Sequence, residues 1–206
     1  MIVKRREEQR DVERFSRWAD SYEHSRIQYY LAQIHDAMLA AVSSEAGSPN
    51  SILDVGCGTG RFLRKIGQRW PNARLIGVDP AEGMIAVARR LAPSISFQVA
   101  SAESILVPSA SIDLAFSAVS LHHWSNQLQG LQEIARTLRP GGYVCLADIT
   151  MPRWVSQLVH SKVQSTSGIR WLLAQTGLEL HVQLPILARV IVVAAGRKPA
   201  TAAQHP

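Results

Sequence analysis

Apolar residues recur at helical spacing from Ile27 onward: Ile27, Tyr30, Leu31, Ile34, Met38, Ala41 and Val42 share one stripe. The stripe predicts a helix that stops before the loop-forming GSPN at 47–50. The 24 residues before it are charge-dense and read as another helix, with Phe15, Trp18 and Tyr22 among its apolar members. Past the loop the period changes. SILDVG is a short apolar run closing on glycine, the mark of a buried strand. Residues 61–70 carry Phe62, Leu63 and Ile66 on one helical face, and RLIGVD follows as a second strand. A helix over 81–91 turns Met84, Ile85, Val87, Ala88 and Leu91 inward. ISFQVA and IDLAFSAV read as strands three and four. A helix over 126–138, a turn at RPGG and a fifth strand, YVCLADI, complete this part.

Strands that alternate with helices of this length imply crossover units and a mainly parallel sheet. Strands covered on both faces are continuously apolar, as these are. The last third differs. A helix over 167–176 ends at Gly177, and Leu178, Leu180, Val182 and Leu184 then alternate with Glu179, His181, Gln183 and Pro185. That is a half-exposed strand. A further apolar strand over 188–197 follows closely, so the two form an antiparallel hairpin at one side of the sheet. The expected organisation is an N-terminal helical lid over 1–46, a main domain over 47–198 and a frayed tail over 199–206.

Composition supports one folded domain. The chain has 206 residues, 47% of them hydrophobic and 18% charged, which excludes wholesale disorder and a collagen-like repeat. A domain of this length buries enough apolar surface to need no metal or disulfide staple. The two cysteines, Cys57 and Cys145, form no bridge framework and suit a reducing cytoplasm. The N-terminus lacks a secretory apolar core, and no run approaches the roughly 18 apolar residues of a spanning helix. The net charge of +6 is concentrated in 61–90 and 151–206, each at +5. No Lys/Arg run carries interleaved aromatics, so a solvated basic surface is expected and nucleic acid is not.

The richest segment is DVGCGTG at 54–60, between a strand and a helix. Glycines there let the chain turn tightly and a ligand approach the main chain, while the helix N-terminus favours an anionic group. The dinucleotide fingerprint G-x-G-x-x-G does not fit, because its third glycine position is Arg61. A phosphate P-loop does not fit either, since G-K-[ST] is missing.

DVGCGTG resembles the first motif of class I S-adenosylmethionine-dependent methyltransferases. Four more segments agree in order: LIGVDPAEGMI, Ala100 to Glu103, SAVSLHHW at 117–124 and RPGG at 139–142. The stretch FSRWADSYE at 15–23 is similar to the first helix of small-molecule members, including quinone-biosynthesis methyltransferases. The resemblance implies a Rossmann-like doubly wound α/β fold with a mainly parallel seven-stranded sheet, an antiparallel C-terminal hairpin and N-terminal helices. It implies S-adenosyl-L-methionine as cofactor, S-adenosyl-L-homocysteine as product and a small-molecule acceptor. The implied cofactor contacts are Asp54, Gly56, Gly58, Gly60, Asp79, Met84, Ser101, Ala102, Glu103 and Ser117. Asp79 stands where the family contacts the ribose, though it can equally cap the next helix, with Pro80 at the first helical position. Asp54 orients the cofactor's amino group in the family, or ties down the glycine loop. Glu103 is a cofactor contact or a solvated loop residue. Ser101 departs from the family, where Asp is frequent; a hydroxyl accepts the adenine amino group more weakly than a carboxylate.

His122 and His123 admit three readings: packing against Trp124, lining an acceptor pocket, or acting as general base. No Cys, Asp or Glu lies beside them at ligand spacing, and no metal is expected. The aromatic residues Trp18, Tyr22 and Tyr29 are lid candidates and Trp124 a pocket candidate, with Tyr30 on the apolar stripe. The chain lacks the Asn/Asp-Pro-Pro-aromatic motif of base-amine methylation, and neither cysteine is placed for cytosine-carbon methylation, so a small acceptor is preferred. The insertion over 151–166, with Trp154, Val155, Leu158 and Val159, is short. The pocket is therefore shallow, or finished by a second subunit in a homodimer. The alternatives are a cofactor-binding, non-catalytic paralogue and an RNA- or protein-modifying methyltransferase.

Overall fold

The computed structural model describes residues 2–43, 45–152, 154–155 and 162–200. Its seven strands are β1 (Ser51–Val55), β2 (Arg74–Asp79), β3 (Ser96–Val99), β4 (Ile112–Ala118), β5 (Leu138–Ile149), β6 (Glu179–Ile186) and β7 (Ile191–Arg197). They form one sheet in the order β3-β2-β1-β4-β5-β7-β6. β1 to β5 run parallel, while β7 lies antiparallel to both β5 and β6. The helices are α1 (Ile2–Tyr22), α2 (Ile27–Val42), α3 (Arg61–Arg69), α4 (Glu82–Leu91), α5 (Gln127–Thr137) and α6 (Thr166–Gln175). This is the doubly wound fold with an antiparallel hairpin and N-terminal helices that the alternation of elements predicts.

The strands alternate their side chains between two cores. Leu114, Phe116, Cys145 and Val193 face the layer that holds α2 and α3. Ala115, Val144, Leu146 and Val192 face the layer that holds α5 and α6. Both cores are continuous and apolar, which is why the parallel strands tolerate few polar residues. A third cluster joins α1 to α4 through Ala19, Met84 and Val87. That junction depends on Gly83: a Cβ there would lie 2.2 Å from the Ser16 carbonyl oxygen. Arg90 and Asp20 pair at 2.6 Å beside it.

Several expectations are corrected. The RPGG segment does not precede β5 but lies inside it. Ile112 pairs with Leu138 and Leu114 with Tyr143, so the extra residues bulge opposite Asp113, with Gly141 at φ +80°. Arg139 meets the Asp113 carboxylate at 2.6 Å, and the same carboxylate accepts the N–H groups of Asn50 and Ser51. β7 starts at Ile191 rather than 188, because Leu187, Ala188 and Arg189 have positive φ and make the hairpin turn. α2 is rotated from its expected stripe. It buries Gln28, Leu31, Ile34, His35, Met38, Leu39 and Val42, and leaves Ile27 and Tyr30 exposed. Two polar anchors set this rotation: Gln28 Nε2 donates to the Tyr22 carbonyl at 2.9 Å, and His35 stacks on Phe62. Leu91, expected inward, is exposed at the end of α4. Leu158, Val159 and residues 201–206 of the tail lie outside the described residues.

Candidate active site

The sheet order reverses between β1 and β4, which opens a crevice beyond their carboxyl ends. A cavity of ≈ 370 Å³ occupies it. Its floor is the glycine loop, where Gly56, Gly58 and Gly60 have φ of +77°, +53° and +74°. Only glycine holds such angles without strain. The N–H groups of Gly56 and Cys57 both donate to the Val78 carbonyl, at 2.8 and 3.0 Å, and tie the loop to β2. A Cβ on Gly60 would meet the Phe97 ring at 2.7 Å, so this glycine serves the packing beneath the loop and does not line the cavity.

Two acids stand at the strand ends. Asp79 accepts the Gly58 N–H at 2.9 Å on one oxygen and the Ala81 N–H at 2.8 Å on the other. It braces the glycine loop and the turn into α4 but does not cap that helix, whose N-cap is Ala81, so Pro80 lies outside the first turn. Burial raises its pKa to about 6, opposed by those two hydrogen bonds. Asp54 is 2% exposed, and its Oδ1 has no hydrogen-bond partner although it lines the cavity. Burial, reinforced by the charge of Asp79, raises the Asp54 pKa to about 8. A cavity-lining acid with one oxygen unpartnered is completed by a hydrogen-bond donor, best a cationic one.

Met84, Ser101, Ala102 and Glu103 line the same end of the cavity. Glu103 also accepts the Asn126 N–H at 2.9 Å and so helps to seat α5. Ser117 is buried in β4 with its hydroxyl unpartnered and does not reach the cavity. Cys57 is a buried, free thiol whose pKa burial pushes well up.

The opposite end lies over β4 and β5. Here Asp148, 2% exposed, grips His122 twice. Its Oδ2 accepts the His122 backbone N–H at 3.0 Å, and its Oδ1 lies 2.6 Å from Nδ1. A carboxylate on Nδ1 fixes that nitrogen as the donor and leaves Nε2 with its lone pair in the neutral ring. His123 stacks edge-on with Phe15 at 5.1 Å. Burial and the neighbouring His122 lower its pKa to about 4. Trp124 donates through Nε1 to Ser120 Oγ at 2.9 Å, and Ser120 packs against Gly56. Just before Ser120, Val119 has φ +52°, a strained angle for a β-branched residue.

α1 roofs the cavity with Phe15, Trp18 and Tyr22, the last two in edge contact at 4.9 Å. Burial, with the charges of Asp79 and Glu23, raises the Tyr22 pKa to about 12. Just past α1, the Glu23 carboxylate accepts the Thr59 hydroxyl and pairs with Arg64 at 2.9 Å. Tyr29 is not part of this roof; it is 72% exposed and meets only Tyr30 among the aromatic contacts of the described residues. Asp148, Glu23, Gln28 and His35 escape the motif reading. The available signals were an acid at a strand end and polar residues on an apolar helical stripe.

Comparison with known proteins agrees with this architecture. A family model described as a methyltransferase domain matches residues 52–142, from β1 to the bulge of β5. Over this segment the chain is similar to methyltransferase domains, in line with the resemblance that DVGCGTG carries. Among curated relatives, a trans-aconitate 2-methyltransferase of Azoarcus sp. is 31% identical over 67% of this chain and 53% of its own. A demethylmenaquinone methyltransferase of Deinococcus radiodurans is 34% identical over 55% of this chain and 48% of its own. The chain thus spans about half the length of these relatives. The cyclase SpnF superposes with a TM-score of 0.71 at 18% identity, covering 82% of each chain, which shares the fold alone. No helix among the described residues is long and apolar enough to cross a membrane.

Proposed function

We propose that the protein transfers a methyl group from S-adenosyl-L-methionine to a small-molecule acceptor. The observation that carries this reading is Asp54, a cavity-lining acid at the glycine loop whose buried Oδ1 has no hydrogen-bond partner. The cofactor's amino group is a cationic donor that completes it. Asp79 keeps a second lone pair on each oxygen for the ribose hydroxyls. Met84, Ser101 and Ala102 supply a mixed apolar and polar wall for the adenine.

The bound cofactor supplies a methyl group already activated on sulfonium. The chain's task is then to hold the acceptor in line and to exclude water. The helices within residues 1–46 act as the lid, with Trp18 and Tyr22 over the cavity. His122 takes the acceptor's proton at Nε2 while Asp148 holds the ring. The proton that the acceptor gives up would pass to the His122 imidazole. The His122–Asp148 pair favours an enzyme over a non-catalytic cofactor binder. The two free, buried thiols, Cys57 and Cys145, fit a reducing cytoplasm.

Calorimetric titration with S-adenosylmethionine tests this, with NADH as control. Micromolar binding that Asp79→Ala and Asp54→Ala abolish is the expected result. Binding of NADH in its place, or of neither ligand by the folded protein, overturns it.

A further inference from the structure

His122 and Asp148 come from separate elements, so their contact depends on what holds those elements together. His122 sits in a single 3-10 turn, Leu121–His123. The His123 N–H closes it on the Ser120 carbonyl, and the Trp124 N–H on the Leu121 carbonyl. A turn this short has poor hydrogen-bond geometry and little stability of its own. Asp148 lies next to the last residue of β5, Ile149.

Gln127 joins the two. It is the first residue of α5, where the Asn126 side chain caps the helix by accepting the Gln129 N–H at 3.1 Å. Its Nε2 donates to the Leu121 carbonyl at 3.0 Å and to the Lys162 carbonyl at 2.8 Å. Two carbonyl partners settle the orientation of the amide. Its Oε1 then accepts from the Gln164 Nε2 at 2.6 Å. Gln164 pairs with Thr150 in a parallel bridge, and its carbonyl accepts the Met151 N–H at 3.2 Å. From the same segment the Lys162 ammonium donates to the Trp124 carbonyl at 3.2 Å. The result is a closed circuit. It runs from Leu121, beside His122, through Gln127 and Gln164 to Thr150, just past Asp148, and the His122–Asp148 contact completes it. Gly168 in α6 leaves room for this circuit, since a Cβ there would lie 2.5 Å from the Gln164 Oε1.

We propose that Gln127 is a positioning residue for the proton transfer to His122, a role that rests on the methyl-transfer reading above. Gln127 lies outside the lining of the cavity and acts through Leu121 and Gln164. It fixes the histidine turn and the end of β5 relative to one another, so the ring meets its carboxylate at one distance. A site whose supporting hydrogen bonds are anchored on a helix holds its geometry more closely than one on free loops.

The test reads His122 itself, by NMR of the full chain. In the wild type the Nδ1 proton held by Asp148 should give a low-field signal that exchanges slowly with water. Gln127→Leu keeps the bulk and loses every hydrogen bond of the amide. Gly168→Ala displaces the Gln164 side chain and leaves Gln127 in place. Each should speed the exchange of the Nδ1 proton and of the His122 amide by about tenfold or more, the effect of one or two lost hydrogen bonds. Asp113→Asn, which weakens the Arg139 contact at the opposite end of the sheet, is the control. It should lower the melting temperature and leave both signals unchanged. S-adenosylmethionine affinity should stay within about twofold in both circuit variants. Unchanged His122 exchange in a folded Gln127→Leu, an equal change in Asp113→Asn, or no protected signal in the wild type each overturns the proposal. If Gln127→Leu does not fold, Gly168→Ala decides by the same criterion. Failure of the wild type to bind S-adenosylmethionine overturns the methyl-transfer reading instead, and with it the reaction that Gln127 would serve.

Discussion

Asp148 and His122 are joined by two contacts, backbone to carboxylate at 3.0 Å and ring to carboxylate at 2.6 Å. The first fixes where the histidine sits and the second fixes which nitrogen is free. Asp148→Asn keeps the shape and removes the anionic acceptor. Its amide can then donate to Nδ1 and favour the tautomer with Nε2 protonated. Nitrogen NMR of the imidazole should show Nδ1–H in the wild type and a mixed or inverted tautomer in the variant. With an acceptor that the enzyme turns over, kcat should fall about 10²–10⁴-fold while cofactor binding is unchanged.

Asp54 gives a pH-dependent signature. In the unliganded protein its carboxyl, raised from an ordinary 3.8 to about 8, is largely protonated at neutral pH. Pairing with a cationic amino group requires the carboxylate, so binding at pH 7 should release on the order of one proton. Calorimetry in buffers of different ionisation enthalpy measures that number. Affinity for S-adenosylmethionine should rise between pH 6 and 8, and Asp54→Asn should lose both effects.

The same carboxyl shapes stability. Folding raises its pKa, so the folded chain binds more protons than the unfolded one between the two values. Its contribution is present below about pH 4 and is lost as pH rises towards about 8. Melting temperatures of the unliganded protein should fall over that window. Asp54→Asn, neutral throughout, should flatten the slope and melt higher than wild type at pH 8.

Gly83 controls the roof. Its alanine variant would put a methyl group 2.2 Å from the Ser16 carbonyl, which is backbone of α1 and cannot rotate away. The cost of such overpacking is about 1–3 kcal/mol, and lifting α1 avoids it. Hydrogen exchange should speed up in α1 while β1 to β5 stay protected. Cofactor affinity should drop because Phe15, Trp18 and Tyr22 leave the cavity together.

Glu23 couples the roof to the floor. It is 11% exposed at the side chain, while Arg64 is 26% exposed. Glu23→Gln should cost about 1–2 kcal/mol, less than a fully buried pair because water reaches the arginine. A lower urea midpoint with an unchanged m-value is the expected readout.

Much of this was readable in the residues. Periodicity separates strands from helices because the parallel strands are buried on both faces, and the glycine loop is readable because its backbone angles exclude other residues. What escapes is long-range. Nothing near Asp148 in sequence announces His122, 26 positions away. The rotation of α2 is not legible in the sequence because Gln28 and His35 are polar residues anchored by tertiary contacts, to the Tyr22 carbonyl and the Phe62 ring. Periodicity counts such residues as outward. RPGG reads as a turn because the same residues serve turn and bulge alike, and only the pairing with Ile112 and Leu114 separates them.

Val119 shows where this molecule forgoes thermodynamic comfort. A valine with φ +52° between β4 and the Ser120–His122 segment resists its own backbone. Glycine there would relax the chain and raise its melting point, yet Ser120, seated on Gly56, and His122, gripped by Asp148, would lose a rigid connection. A variant selected for thermal endurance alone would be drawn to this position, and would emerge as a sturdier protein with a less exact catalytic aim.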